Sequence, residues 1–343
     1  MTGRILVVYT GGTIGMVASG NGYVPGTGFR ERIQAHLASR QGELPQFHVV
    51  EAGPLIDSAN LVPADWARIA GILVSAWSDY DGFVILHGTD TMAYTASALS
   101  YLLAGCDKPV ILTGAQIPLG HARTDATDNL VTALILAATP AISEVCICFN
   151  GRLLRGNRAR KLKTSDLDAF DSPNLAWLGQ AGIRIELRHD LLLPAGTPDF
   201  RIPEFRPAAV ALLPLFPGID GAMAEALLTR PGLGALILQS YGAGNAPDAN
   251  TGLMDTIARA IDAGITVVNL SQCPYGGVSQ GTYATGSALS ALGVLPGADL
   301  TPEAAFAKLH YLLASGLTGE TLHRAFARPL AGDCGVTPDC PSP

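Results

Sequence analysis

Cysteine is scarce in this chain, with six in 343 residues. That is too thin a supply for a disulfide framework, and Cys146 and Cys148 fall inside an apolar run where free thiols pack well. A reducing, cytoplasmic setting is expected. Charge is sparse too, at 15% of residues, and cations are the minority: 22 Lys plus Arg against 29 Asp plus Glu leave a net charge of −7. A surface of that sign repels phosphate backbones, so nucleic acid is not an expected partner. Long apolar runs are missing. No stretch reaches the roughly 18 uncharged apolar residues of a spanning helix, and the opening MTGRILVVYTGG lacks an apolar core followed by a small-residue cleavage site. Neither a membrane nor secretion is signalled. Clustered metal ligands are absent as well, because the seven His are scattered with neither HExxH nor paired CxxC, so no metal site is expected.

What is present is apolar. Hydrophobic residues make up 48% of the chain, enough for a compact fold, and the length makes two domains the natural division. The runs Arg4 to Tyr9, Phe83 to His87, Val110 to Thr113 and Val145 to Phe149 lack polar alternation, as strands buried on both faces do. Between them lie helical patterns, the clearest with Trp66, Ile69, Ala70, Leu73, Val74 and Trp77 on one face, opened by Pro63 and closed by 78–81. Alternating strand and helix predict an α/β fold: an open, mostly parallel sheet covered by helices on both faces, with ligands beyond the carboxyl ends of the strands. This N-terminal domain is expected over 1–188. A Pro-rich stretch without periodicity, 189–208, reads as a connection. A smaller C-terminal α/β domain follows over 209–331, with strands at 210–215, 235–240 and 265–270 and helices near 222–228, 252–263 and 302–314. The tail 332–343 has no core pattern and reads as a loose end.

Four motifs could carry chemistry. The first strand empties into Thr10-Gly-Gly-Thr13-Ile-Gly15, a turn where adjacent glycines allow a sharp bend and leave Thr13 over the strand end. It reads as a tight βα turn or as a site for a nucleophile; neither the dinucleotide nor the phosphate-loop spacing fits. His87-Gly88-Thr89-Asp90-Thr91 occupies the equivalent place one crossover later, where Asp90 or Thr91 could simply cap the next helix. Two strand-end loops in one parallel sheet would converge on a single crevice. Third, six cations fall between Arg152 and Thr164 with no acid among them: a solvated run, or a cluster that frees one lysine as a base. Fourth, Gly277-Val-Ser279-Gln-Gly281 matches the GxSxG elbow, with Asp299 and His310 in the right chain order for a Ser…Asp…His triad. It starts several residues after its strand, and His310 lies inside a helical pattern.

Thr10 to Gly15 and Leu86-His-Gly-Thr-Asp-Thr-Met-Ala-Tyr-Thr-Ala-Ser-Ala-Leu99 together resemble the two signature segments of bacterial-type L-asparaginases. The segments Arg155 to Lys161, Ala169 to Asn174, Ser240 to Pro247 and Tyr283 to Gly286 are similar to those of the cytoplasmic type I branch. The resemblance runs over nearly the whole chain except the tail. It implies a two-domain asparaginase-like fold, hydrolysis of L-asparagine to L-aspartate and ammonia, and no cofactor.

Residue by residue, it implies that Thr13 is the nucleophile and forms a β-acyl ester. Lys161 would be the base, held by Asp90, with Thr89 beside the scissile amide. Tyr23 would be a lid residue bonding the nucleophile. Asp57 and Ser58 would bind the substrate α-carboxylate, Asp90 its ammonium, and backbone at Gly12 and Gly88 would line the oxyanion. Asn245 matches a residue that reaches in from a neighbouring subunit, so a homodimer or homotetramer is implied. Gln239 stands where relatives controlled by asparagine at a second site carry Arg, and Arg160 where a smaller residue is usual, so such control is not implied. The alternatives from other classes are a broader glutaminase-asparaginase, an amidotransferase subunit, and an amino-acid-binding protein that holds its ligand without hydrolysing it.

Overall fold

The apolar runs become parallel strands of one sheet in the computed structural model, which describes residues 3–20, 22–26, 28–280 and 284–335. β1 (Arg4–Gly11) leads into a hairpin of β2 (Met16–Ser19) and β3 (Gly22–Pro25), followed by α1 (Phe29–Leu37) and β4 (Gln46–Ile56). Then come α2 (Pro63–Ser75), β5 (Gly82–Leu86), α3 (Met92–Leu102), β6 (Val110–Thr113), α4 (Ala126–Ala137) and β7 (Val145–Phe149). The first sheet is completed by β8 (Arg152–Arg155), β11 (Gly179–Ala181) and β12 (Ile185–Leu187), while β9 (Arg160–Lys161) and β10 (Phe170–Asp171) form a separate ribbon. Its order is β12-β11-β8-β7-β6-β5-β1-β4, parallel from β4 to β7 and antiparallel beyond.

Every residue of β5, β6 and β7 is buried, as expected where helices cover both faces. Edge strand β4 alternates irregularly between buried and exposed, which is why no uninterrupted apolar run marks it. In α2, Trp66, Ile69, Ala70 and Leu73 face the core as predicted, each contributing about 1.5–3 kcal/mol where the side chain is large. The helix stops at Ser75, and Trp77 sits in a following 3-10 turn.

The chain divides into two compact units, Met1–Ser172 with Ala176–Ile202, and Pro173–Leu175 with Pro203–Pro343. The connecting stretch is tied to the first unit for much of its length. Arg155 donates to the Leu191 carbonyl at 2.6 Å, Leu193 N–H to Glu144 Oε1 at 2.8 Å, and Asp199 N–H to the Ala104 carbonyl at 3.0 Å.

In the second unit, β13 (Val210–Pro214), β14 (Ala235–Ser240), β15 (Thr266–Ser271) and β16 (Leu295–Pro296) form a parallel sheet in sequence order. Its helices are α5 (Gly221–Leu228), α6 (Thr251–Asp262), α7 (Ala284–Ala291), α8 (Pro302–Ala314) and α9 (Gly319–Ala327). Strand alternation splits β14 between two cores: Ala235 and Ile237 join the α8 and α9 side, Leu236 and Leu238 the α5 and α6 side. The start of the expected loose tail is part of this unit. Asp333 pairs with Lys308 at 2.8 Å, both side chains at most 1% exposed, and Gly335 N–H donates to Asp299 Oδ1 at 2.9 Å. One buried charge fixes the segment because an unpaired Lys308 would be far costlier. Residues 336–343 of the tail lie outside the described residues.

Candidate active site

The carboxyl ends of β1 and β5 are stapled side by side. Thr10 Oγ1 donates to the Leu86 carbonyl at 2.9 Å, so the two glycine turns leave the sheet together. A Cβ built on Gly12 would lie 2.5 Å from both N and Cα of Gly88, and Gly12 has φ 88°. Only glycine permits that approach and that backbone. Thr13, which opens the 3-10 turn Thr13–Gly15, and Thr89 therefore each stand one residue beyond a backbone contact.

The second turn also meets a third loop. A Cβ on Gly88 would lie 2.6 Å from the Ser58 Cβ, and Thr91 Oγ1 donates to the Ser58 carbonyl at 2.8 Å. Ser58 is buried beside Gly88, in the 3-10 turn Ser58–Asn60 after β4. Asp57, by contrast, is exposed, and its carboxylate accepts from Ala59 N–H at 3.2 Å. Of the pair named from sequence, Ser58 is the one packed against the turn. Beneath it lies His87, where burial holds the ring below its ordinary pKa. As a neutral imidazole it donates from Nδ1 to the Gly88 carbonyl at 2.7 Å and accepts at Nε2 from Thr95 at 3.0 Å.

Lys161 reaches this place from 71 residues away in sequence. Its Nζ donates to Asp90 Oδ1 at 2.7 Å and to Thr89 Oγ1 at 2.8 Å. The Lys161 side chain is 19% exposed and that of Asp90 60%, so the pair is open to a ligand from the Asp90 side. A cluster of mutually repelling cations is not what the fold builds around Lys161. Arg155 pairs with Glu144 at 2.7 Å, Arg152 with Asp168 at 3.1 Å and Asp171 at 3.5 Å, and Lys163 with Asp168 at 2.6 Å. The acids come from segments distant in sequence or beyond Thr164, out of reach of a reading along 152–164.

Gln116, beyond the end of β6, was not among the residues singled out from sequence. Its Oε1 accepts from Thr89 Oγ1 at 3.3 Å. The rule that pointed to the turns after β1 and β5 points equally to the one after β6.

Tyr23 falls on β3, paired with Ala18 of β2, and its side chain lies outside the described residues. Arg32 on α1 fixes both ends of that hairpin, donating to the Gly15 carbonyl at 2.7 Å and the Gly26 carbonyl at 3.2 Å. Asn245 is in the second unit, in a tight turn where its backbone pairs with Tyr241. Tyr283 lies outside the described residues. The GxSxG segment is a loop between β15 and α7 rather than a strand–turn–helix elbow; Ser279 N–H donates to the Ala243 carbonyl at 3.0 Å, and Gly281 lies outside the described residues. His310 is buried on α8, its ring 4.6 Å from that of Phe306, and Asp299 accepts from Gly335.

Among the described residues, no group of three or more His, Cys, Asp or Glu is placed to hold a metal ion, and no helix is long and apolar enough to cross a membrane. The Lys161, Thr89 and Asp90 constellation beside two glycine turns suits amide or ester chemistry through a hydroxyl.

Residues 4–193 match the family model "Asparaginase, N-terminal" and residues 209–326 match "Glutaminase/Asparaginase C-terminal domain". The chain is 47% identical over 336 residues to L-asparaginase 1 of Escherichia coli, covering 98% of each chain. Its fold is similar to the crystal structure of L-asparaginase I from Vibrio cholerae, with TM-score 0.90 and 42% identity over 98% of this chain and 100% of that one. The thermostable L-asparaginase from Thermococcus kodakarensis superposes with TM-score 0.87 at 30% identity, over 97% of this chain and 100% of that one. Strand-end glycine turns, the lysine that reaches back to them and matches spanning both halves of the sequence lead to one conclusion: the chain belongs to the asparaginase family.

Proposed function

We propose that this protein hydrolyses L-asparagine to L-aspartate and ammonia through a threonine nucleophile. The observation that carries the reading is Lys161 bonded at once to Thr89 and Asp90, at a turn whose backbone touches the Gly12 turn that presents Thr13. Thr13 Oγ1 attacks the side-chain carboxamide carbon as its proton leaves toward the Thr89 and Lys161 pair, and that proton goes on to the departing ammonia. A β-acyl ester remains on Thr13. Water, oriented by Thr89, then attacks the ester carbon, and the acyl–oxygen bond breaks to give L-aspartate and the free hydroxyl. Backbone N–H groups of the two turns serve as donors to the oxyanion. The exposed Asp90 carboxylate takes the substrate ammonium, Ser58 takes the α-carboxylate with Asp57 alongside, Tyr23 closes over the site, and Asn245 contributes from a neighbouring subunit in a cytoplasmic homodimer or homotetramer.

The experiment is ammonia release by the purified protein. L-Asparagine is expected to turn over faster than L-glutamine, and Thr13→Ala to abolish turnover while leaving the fold intact. Full activity in Thr13→Ala would remove the reading. Binding of L-asparagine by the unaltered protein without ammonia release would favour a non-hydrolytic role.

A further inference from the structure

The hydroxyl of Thr89 has one proton to give and two neighbours that bear on it. Lys161 Nζ is 2.8 Å away and Gln116 Oε1 3.3 Å away. Which of them receives the proton is decided at the other end of the Gln116 amide. Its Nε2 lies 3.1 Å from the Thr164 carbonyl and 3.2 Å from the Asp166 carbonyl. Carbonyl oxygens only accept, so the amino end must face them and the acceptor end must face Thr89. The root of the side chain is fixed as well. Gln116 N–H donates to Asp125 at 3.0 and 3.1 Å, and Ile117 N–H donates to the same carboxylate at 2.9 Å.

We infer that Gln116 is a positioning residue that sets the direction of the hydrogen-bond chain, from Lys161 to Thr89 to Gln116, and fastens the strap 162–168 between β9 and β10 beside it. The inference rests on the roles given above to Thr89 and Lys161. With its proton held by Gln116, the Thr89 hydroxyl offers a lone pair to the Lys161 ammonium. To pass a proton to the neutral amine, the hydroxyl has to turn away from Gln116. Gln116 therefore sets how readily the relay begins. The charged groups around it are Asp90, which pairs with Lys161; Lys163, Asp166 and Asp168 on the strap; Arg152 on β8 reaching Asp168 and Asp171; and Asp125, which binds backbone.

Two substitutions separate this role from simple packing. Gln116→Met keeps the length but removes both polar ends, so the hydroxyl is free to turn; the acid limb of kcat against pH is expected to move to lower pH. Because the hydroxyl no longer has to leave Gln116 before it passes its proton, kcat at the optimum is expected not to fall, with KM for L-asparagine nearly unchanged. Gln116→Glu keeps an acceptor, adds negative charge near Lys161 and loses the donors to the strap, so the limb is expected to move to higher pH and the strap to become a cleavage site in limited proteolysis. Opposite displacements support the inference. Superimposable limbs, displacements of one sign, or an effect on KM alone overturn it. If Gln116→Met does not fold, the isosteric Gln116→Glu decides by the sign of its shift. Activity in Thr13→Ala would sink the assigned roles themselves, whereas an inactive Thr13→Ala with unmoved limbs in the Gln116 variants would sink only this inference.

Discussion

Gly12 and Gly88 meet backbone to backbone, so close that Gly12 cannot carry a side chain: a Cβ there would stand 2.5 Å from Gly88 N and Cα, whereas a Cβ on Gly88 would meet Ser58. The contact brings the residue after each glycine, Thr13 and Thr89, to the same end of the sheet. Glycine at position 12 is thus required by the close approach and by its φ of 88°.

Gly12→Ala is expected to separate the two turns. The methyl group meets backbone, which cannot yield as a side chain can, and φ 88° is unfavourable for alanine. A strain of about 1–3 kcal/mol should appear in urea unfolding, with a loss of at least about a hundredfold in kcat/KM from ångström-scale misplacement. Near-native ammonia release would show that the contact is incidental.

The Lys161 and Asp90 pair, 2.7 Å apart, is expected to act as one unit. Lys161→Met and Asp90→Asn should each lower kcat by about 10²–10⁴, and the double variant should be hardly worse than the poorer single one. Steady-state kinetics on all four proteins checks this; additive losses in log kcat would mean separate roles.

Asp333→Asn is expected to be among the most damaging single changes in the second unit, although it lies near the end of the sequence. It would strip the partner from Lys308, which is 1% exposed and also donates to the Arg328 carbonyl at 2.8 Å. Removing one member of a fully buried pair costs about 3–5 kcal/mol. Chemical denaturation followed by far-UV circular dichroism measures it; a change within about 0.5 kcal/mol would mean that water reaches the lysine.

Burial pushes the His310 ring down to about 4 from 6.5. The unfolded chain then binds a proton that the folded chain refuses, so stability falls as pH drops through the window from about 6.5 to about 4. At pH 5 the penalty is about 2 kcal/mol. His310→Gln should flatten the dependence of Tm on pH over that window relative to the unaltered protein, and parallel curves would assign the acid lability elsewhere. His87, shifted the same way by burial, contributes in the same direction.

The central strands were legible along the chain, because an uninterrupted run such as Val145 to Phe149 has no polar face to leave in water and must lie between two layers. The first two turns were likewise marked, since glycine followed by threonine at a strand end is visible along the chain. Edge strand β4 escaped that rule, for one of its sides meets solvent. Which cation reaches the strand-end turns is a matter of folding alone. Lys161 is one of six between Arg152 and Thr164, and nothing local sets it apart; it differs because Asp90 and Thr89 are brought to it across the fold, while its neighbours find Glu144 and Asp168. The same holds for Gln116 and Asp333. Hydrophobic burial is encoded by local pattern, but a polar side chain acquires its role from partners whose distance along the chain carries no signal of their nearness in space.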